Sequence, residues 1–257
     1  MNFYEFGQEN SEIIVMLHGL SMTWDMLQDA VDILKADYHV IVAAIPGHDP
    51  KSKEEFTSVE NAAGMIEEYL LEKEYDDILC IYGLSMGGAI TIRILADNRV
   101  RFQKAVIDAG ITPYEMPRIF TRAILVNDFA TMMLARRFSS LLKYAFAPER
   151  FDEEIMQKEI AGIKNMTPKT IWNAFDSANN YSMPADFPEI STCIEYWYGE
   201  DEKKDRKLDL RYVKRHIPNV KFRMIPNMTH GQYVCSEPEK FSRTLKKVLK
   251  GKSSAAH

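Results

Sequence analysis

Cysteine is scarce in this chain, and so are long apolar runs and clusters of one charge. The 257 residues include three cysteines, Cys80, Cys193 and Cys235, and an odd number of this size argues against a disulfide-stapled secreted scaffold. Cys80 and Cys193 fall in apolar runs, where a thiol behaves as a small apolar group. We therefore expect reduced, structural cysteines, and no spacing of cysteine and histidine is typical of a zinc site.

No segment is apolar for long enough to cross a bilayer. The first six residues have no basic region followed by a long apolar stretch, so we expect no signal peptide and a cytoplasmic protein. The net charge is −5, with 37 acidic and 32 basic residues mixed along the chain. Since no basic stripe emerges, nucleic-acid binding is not indicated. The basic residues at 246–252 are too few to predict stable membrane attachment.

Short apolar runs typical of buried strands recur along the chain. They lie at residues 13–17, 39–44, 78–82, 104–108, 193–197 and 220–225. Helical patterns separate them, for instance at residues 24–35, 58–73 and 88–98. Strands that alternate with helices indicate parallel pairing with helices on both faces. We predict an α/β fold with a doubly wound, mostly parallel sheet and a short antiparallel edge strand at residues 3–6.

The alternation stops after Asp108. Residues 113–188 show helical periodicity and almost no strand pattern, with helices predicted at 119–144, 152–164 and 168–179. This predicts a core of residues 1–112 and 189–257 interrupted by a helical insertion of residues 113–188. The insertion is rich in long apolar side chains, among them Met116, Met132, Met133, Met156, Met166, Met183, Phe120, Phe129, Phe138 and Phe146. We expect most of them to pack the helices together and two or three to face a pocket.

A Gly-Leu-Ser-Met-Gly sequence at residues 83–87 joins a strand pattern to a helix pattern. Ser85 would then lie on a sharp turn, with its hydroxyl exposed and free backbone N–H groups of the helix start nearby. Gly83 and Gly87 allow neighbouring backbone to approach without a Cβ clash. A G-x-S-x-G sequence in this setting indicates a serine nucleophile. The alternative is a structural glycine turn that contains a serine by chance.

Histidines follow two of the predicted strands, the run at residues 13–17 and the run at residues 220–225. His18 and Gly19 end the run at 13–17, and His230 lies in the loop after the run at 220–225. An imidazole exchanges a proton near neutral pH, so His230 is the candidate base that activates Ser85. With these landmarks and a Pro-Gly-His turn at residues 46–48, the chain resembles α/β-hydrolases of the serine esterase and lipase kind over nearly its whole length.

This resemblance implies further parts of the site. It implies that the insertion is a helical cap and that the backbone N–H of Leu20 is one donor of an oxyanion hole. The second donor is the backbone N–H of Met86, which also follows from the position of this residue after the nucleophile. The backbone of the His18-Gly19 turn then matters more than the ring of His18, and His48 is structural. No cofactor motif is present, and the chemistry needs neither a cofactor nor a metal.

The carboxylate that orients His230 is the open point. In the proteins that the chain resembles, it usually follows the strand after the cap, often three residues beyond a glycine. Counting from Gly199 gives Glu202, although aspartate is commoner there. Asp201 is one residue away, and Asp108 ends the strand before the cap, where some relatives carry the acid. Glu202 is our first choice, Asp201 the second and Asp108 the third.

These features predict a hydrolase that cleaves a small carboxylic ester, with an apolar acyl or aromatic group, through an acyl-serine intermediate. Serine at this turn argues against relatives that use aspartate or cysteine there. A lyase or carbon–carbon bond hydrolase on the same constellation is a first alternative, in which the serine need not be acylated. A non-catalytic ligand receptor that retains the fold is a second. No partner beyond the small-molecule ester is indicated.

Overall fold

A seven-stranded sheet forms the centre of the computed structural model, which describes residues 1–138 and 151–251. In chain order the strands are β1 Asn2–Phe6, β2 Ile13–Leu17, β3 His39–Ala44, β4 Asp77–Leu84, β5 Arg101–Asp108, β6 Cys193–Gly199 and β7 Lys221–Ile225. Their order in the sheet is β1-β3-β2-β4-β5-β6-β7. β1 is antiparallel to β3, and the other neighbouring pairs are parallel. The predicted α/β class, the mostly parallel sheet and the antiparallel edge strand are confirmed.

Helices cover both faces of this sheet. In chain order they are α1 Gln28–Leu34, preceded by a 3₁₀ turn at Trp24–Leu27, α2 Val59–Glu72, α3 Met86–Asp97, α4 Arg118–Arg137, α5 Glu153–Asn165, α6 Pro168–Ala178, α7 Lys207–His216, α8 Gln232–Ser236 and α9 Pro238–Lys250. One apolar cluster packs α2, α3 and α7 against the sheet, and a second packs α1, α8 and α9. Because β2 and β3 are buried along their whole length, they are recognisable in the sequence as continuous apolar runs.

Several predicted boundaries differ from the structure. β5 begins at Arg101 rather than at residue 104, and β6 continues to Gly199 rather than ending at residue 197. β4 continues to Leu84, beyond the predicted end at residue 82, because Gly83 and Leu84 still pair with Ile107 and Asp108 of β5. The helix predicted over residues 119–144 is α4, which ends at Arg137. Residues 139–150 and 252–257, which include Phe146, Pro148 and His257, lie outside the described residues.

Among the described residues, three helices, α4, α5 and α6, lie between β5 and β6. α6 is fixed to the first residue of α2 and to the loop before it, since Val59 N–H donates to Ser177 Oγ at 2.7 Å and Asn173 Nδ2 donates to the Phe56 carbonyl at 2.9 Å. α4 in turn packs on α5 and α6. The division into a core of residues 1–112 and 189–257 and a cap of residues 113–188 remains our proposal.

Within the described ranges, no helix has both the length and the apolar character that a membrane span requires.

Candidate active site

Ser85 lies on the turn between β4 and α3 with a backbone conformation that is rare for a residue with a side chain. Its φ is 54° and its ψ is −111°, which costs on the order of 1–3 kcal/mol and persists only where the surroundings impose it. The Ser85 N–H donates to the Asp108 carbonyl at 2.8 Å, and the Ser85 carbonyl accepts from Ala89 N–H at 3.0 Å. The end of β5 and the first turn of α3 therefore hold the strained residue in place.

The glycines on either side of Ser85 are required by close backbone contacts. A Cβ on Gly83 would lie 2.3 Å from the Gly87 carbonyl oxygen, and a Cβ on Gly87 would lie 2.5 Å from the Leu17 carbonyl oxygen. A Cβ on Gly19 would lie 3.4 Å from the Ser85 Cβ. The absence of these side chains lets the start of α3 press against the end of β2, which brings the turn after β2 next to Ser85.

The predicted oxyanion donors, Leu20 and Met86, line the same cavity as Ser85. Met86 is the first residue of α3, a position whose N–H has no partner within the helix. The N–H groups of Leu20 and Met86 both have no hydrogen-bond partner among the described residues, 1–138 and 151–251.

The ring of His18 holds the turn that carries Leu20. Ile45 N–H donates to His18 Nε2 at 3.0 Å, so Nδ1 carries the ring proton and donates to the Gly19 carbonyl at 2.9 Å. Burial lowers the pKa of His18 to about 4 and that of His48 to about 3. Both rings are thus neutral at physiological pH, and each contacts a backbone carbonyl of its own turn.

His230 follows β7 and contacts a buried carboxylate. Its Nδ1 lies 2.7 Å from Glu202 Oε2, and Glu202 Oε1 accepts the Gly199 N–H at 2.8 Å. Glu202 is 5% exposed. Burial alone would raise the pKa of Glu202, but the hydrogen bond and charge of His230, the Gly199 N–H and the Arg206 guanidinium together hold this pKa below its usual value. The carboxylate is therefore ionised at neutral pH and fixes the orientation of the ring.

The two other candidate acids are placed differently. The side chain of Asp201 is exposed, and its backbone N–H donates to the Met228 carbonyl at 3.1 Å. Asp108 is buried and accepts a hydrogen bond from Tyr82 Oη at 2.8 Å. Burial raises the pKa of Asp108 to about 7. The structure thus brings Glu202, the first choice for the orienting acid, into contact with His230. Asp108 instead accepts a hydrogen bond from Tyr82.

Ser85 and His230 line one cavity. Gly231 packs beside Leu84, since a Cβ on Gly231 would lie 3.5 Å from Leu84 Cδ2. In the part of the chain that the structure describes, no hydrogen bond joins Ser85 Oγ to the His230 ring. In sites without substrate this contact is often long or poorly aligned and tightens when substrate binds.

The cavity has a volume of about 320 Å³ and lies between the strand ends and α4, α5 and α6. Of the methionines and phenylalanines named from the sequence, Met132 and Met156 line it. Phe120 and Phe138 are exposed, and Phe129 packs edge-on against Trp172 at 5.2 Å. As expected, two of these side chains face the pocket. Further apolar lining comes from Met22, Met26, Phe151, Ile155 and Phe175.

Three charged residues of the cavity were not identified from the sequence: Asp128 of α4, Glu159 of α5 and Arg206 before α7. A sequence pattern marks two of them. Glu159 lies three residues after Met156, and Asp128 lies three residues after the buried Leu125, spacings that share one helix face. A carboxylate on the apolar face of a helix was the signal that would have found both.

Comparison with known proteins identifies the family of this chain. Residues 14–244 match the model of the alpha/beta hydrolase family. The chain is similar to the pimeloyl-[acyl-carrier protein] methyl ester esterase of Nitrosomonas europaea, with 20% identity over 242 residues that cover 90% of this chain and 93% of that protein.

Two solved structures share the fold. A protein of Desulfitobacterium hafniense assigned to the alpha/beta hydrolase family superposes with a TM-score of 0.77 at 21% identity, over 97% of this chain and 100% of that one. Est816, an N-acyl homoserine lactone degrading enzyme, superposes with a TM-score of 0.76 at 21% identity, over 96% and 95% of the two chains.

Proposed function

The chain belongs to the alpha/beta hydrolase family, and we propose that it is a serine hydrolase that cleaves small carboxylic esters through an acyl-serine intermediate. One observation carries the proposal. Ser85, on a strained turn, shares a cavity with His230, and the Nδ1 atom of His230 contacts the buried Glu202 carboxylate. A nucleophile, a base and a group that orients the base form the arrangement by which serine hydroxyls are activated.

The proposed reaction starts with attack of Ser85 Oγ on the ester carbonyl carbon. Because His230 Nδ1 faces Glu202, Nε2 is the atom that accepts the hydroxyl proton. The carbonyl oxygen becomes an anion beside the free N–H groups of Leu20 and Met86, and such donors supply a large share of the rate enhancement. The His230 imidazolium then protonates the departing alcohol. Water repeats the attack on the acyl-serine with His230 again as base, which releases the acid.

The cavity supports a small substrate with an apolar acyl or aromatic part. Its volume of about 320 Å³ is at the lower end of about 300–1,000 Å³ for ligand pockets. Methionine side chains from two sides, Met22 and Met156 among them, adapt to ligands of varied shape. Similar proteins are consistent with this, since the Nitrosomonas protein is a methyl ester esterase and Est816 degrades N-acyl homoserine lactone, a molecule that contains a cyclic ester.

A labelled fluorophosphonate and an ester panel test the proposal together. We expect one adduct on Ser85, located by mass spectrometry, and none in Ser85→Ala. We also expect turnover of p-nitrophenyl esters, with a maximum at short acyl chains in a series from acetyl to decanoyl. Exposed Ser191→Ala is the matched control and should behave as the wild type.

The other outcomes separate the alternative functions. If the wild type carried no adduct on Ser85 and cleaved no ester, the proposal would be wrong. Proton abstraction from a carbon acid by the same residues would then indicate a lyase or a carbon–carbon bond hydrolase. A small molecule that raised Tm without being converted would indicate a receptor.

A further inference from the structure

The hydroxyl of Ser21, next to Leu20, lies between two oxygen atoms. One is the Leu20 carbonyl oxygen, and the other is Oε1 of Glu159, which reaches in from α5. Ser21 is 4% exposed, so water does not compete freely for these contacts. The side chain of Glu159 is partly accessible, and it lines the same cavity as Ser85.

Two oxygen contacts around one hydroxyl require two hydrogens. A serine hydroxyl donates once, and both the Leu20 carbonyl and an ionised Glu159 are acceptors. If Glu159 carried its proton, it would donate to Ser21 Oγ, and Ser21 would donate to the Leu20 carbonyl. Every oxygen in this chain of contacts then has a compatible partner. The geometry therefore fits a neutral carboxylic acid at Glu159.

The surroundings of Glu159 favour the neutral form. Burial raises the pKa of Glu159 to about 7, against the opposing effects of the Ser21 hydrogen bond and the charge of His230. In the described part of the chain, none of the ion pairs involves Glu159. Lys158, its neighbour on α5, is paired with Glu154 at 2.8 Å.

α5 contacts the same turn a second time, one helical turn further on. A Cβ on Gly162 would lie 1.9 Å from the Ser21 carbonyl oxygen, so the helix backbone itself presses on this carbonyl. Ser21 is also held with a φ of 65°, a value that residues with side chains adopt only where contacts impose it. α5 thus fixes both the hydroxyl and the carbonyl of the residue after Leu20.

We propose that neutral Glu159 is a positioning residue for the oxyanion hole: through Ser21 it holds the Leu20 N–H in place, and its ionisation weakens catalysis. The inference rests on the proposed function of Ser85 and Leu20. Ionised Glu159 would draw the Ser21 hydroxyl to itself and leave the Leu20 carbonyl without its donor. It would also add a negative charge to the cavity in which the oxyanion forms, where a low dielectric strengthens repulsion.

The other titratable groups around this cavity are His230, Cys235, Asp128, Arg206 and Tyr114, and burial raises the pKa of the Tyr114 hydroxyl. Burial raises the pKa of the Cys235 thiol, so it stays neutral, and burial also raises the pKa of Asp128. Arg206 remains a cation and is held by Asp209 at 3.4 Å. Since the charge of Asp128 can also change with pH, a variant that removes only the Glu159 proton is needed to isolate its effect.

The test compares kcat and KM for p-nitrophenyl butyrate from about pH 5 to about pH 9 in the wild type, Glu159→Gln and Glu159→Ala. The control is Glu154→Gln, an exposed change on the same helix. We expect the wild-type kcat to fall about tenfold as Glu159 ionises, less than the 10²–10³-fold lost when an oxyanion donor is removed outright.

In Glu159→Gln, whose amide N–H still donates to Ser21, this alkaline fall should disappear while kcat at about pH 6 stays near the wild-type value. Glu159→Ala should lose about tenfold in kcat at acidic pH with little change in KM. An alkaline fall that persisted in Glu159→Gln, or a Glu159→Ala variant as active as the wild type, would overturn the proposal.

A spectroscopic measurement keeps this test separate from the proposed function. The infrared difference between the wild type and Glu159→Gln at about pH 6 should contain the carbonyl band of a protonated carboxylic acid, and the band should vanish as the pH rises above the pKa of Glu159. If Ser85 took no fluorophosphonate and no ester were cleaved, the proposed function would be wrong whatever the band shows. If Ser85 were labelled and the band were absent, the inference about Glu159 alone would be wrong.

Discussion

Replacement of Glu202 by glutamine keeps the shape of the side chain but changes which hydrogen bonds it can make. Glu202 Oε1 accepts the Gly199 N–H at 2.8 Å, and Oε2 faces His230 Nδ1 at 2.7 Å. A glutamine has one oxygen and one NH₂ group for these two neighbours. If the NH₂ faced Gly199, a buried backbone donor would lose its acceptor, at about 1–3 kcal/mol. The amide oxygen therefore stays on Gly199, and the NH₂ faces His230.

An NH₂ group can pair only with an unprotonated Nδ1. The ring proton of His230 then moves to Nε2, which is the atom that has to accept the proton of Ser85. In serine proteases, the equivalent change to the wrong tautomer lowers kcat about 10⁴-fold. We expect Glu202→Gln to lose about 10³–10⁴-fold in kcat, which corresponds to about 4–5.5 kcal/mol in the activation barrier.

The assay is kcat for p-nitrophenyl butyrate, with thermal unfolding to verify that each variant is folded. Asp201→Asn is the matched control, since that side chain is exposed, and it should stay within about twofold of the wild type. A Glu202→Gln variant that kept more than about a tenth of the wild-type kcat would refute the reasoning. So would a loss as large in Asp108→Asn, because Asp108 would then be the acid.

Three further predictions concern the framework of the site. Ser85→Gly should abolish turnover yet raise the free energy of unfolding by about 1 kcal/mol in urea titrations, since glycine relieves the strain at φ 54°; an unchanged or lower value would contradict this. Gly83→Ala should lower the free energy of unfolding by at least about 2 kcal/mol, because the added Cβ would lie 2.3 Å from the Gly87 carbonyl oxygen. Gly64→Ala, whose added Cβ would meet no neighbouring atom within 4 Å, should raise the free energy of unfolding by about 0.5–1 kcal/mol. Burial lowers the pKa of His18 to about 4 in the folded protein. The stability that its neutral ring contributes is therefore fully present above the pKa of histidine in the unfolded chain, and it is lost as the pH falls towards the folded pKa. The stability advantage of the wild type over His18→Gln should therefore shrink by about 2 kcal/mol between pH 7 and pH 5, and a constant difference would show that His18 is not linked to folding.

Much of the fold is predictable because the central strands β2, β3 and β4 are buried on both faces. The runs of β2 and β3 have few polar residues and match the observed strands residue for residue. The end of β4 was missed by two residues because Gly83 and Leu84 belong both to the strand and to the turn that presents Ser85. Sequence patterns reveal packing against apolar neighbours, but they do not reveal a hydrogen-bond ladder that continues into a turn.

The parts of the site that a motif constrains through the backbone were predictable from the sequence. The parts that depend on the orientation of one side chain in the folded protein were less so. Gly83 and Gly87 mark a close backbone approach that can be recognised from glycine alone. Glu202 and Asp201 are neighbours in one turn, and only the folded chain shows that Glu202 faces His230. The catalytic roles of Ser85, His230 and Glu202, and of the Leu20 and Met86 N–H groups, stay predictions until the variants are measured.

The contact between Gly162 and the Ser21 carbonyl has a consequence for exchanging parts between relatives. Substrate range in such enzymes could be altered by grafting a foreign set of helices in place of α4, α5 and α6. In this protein a graft with any side chain at position 162 would push the turn after β2 out of position. A working chimera would have to take its α5 and its β2 turn from the same parent, so these two distant segments form one exchangeable unit.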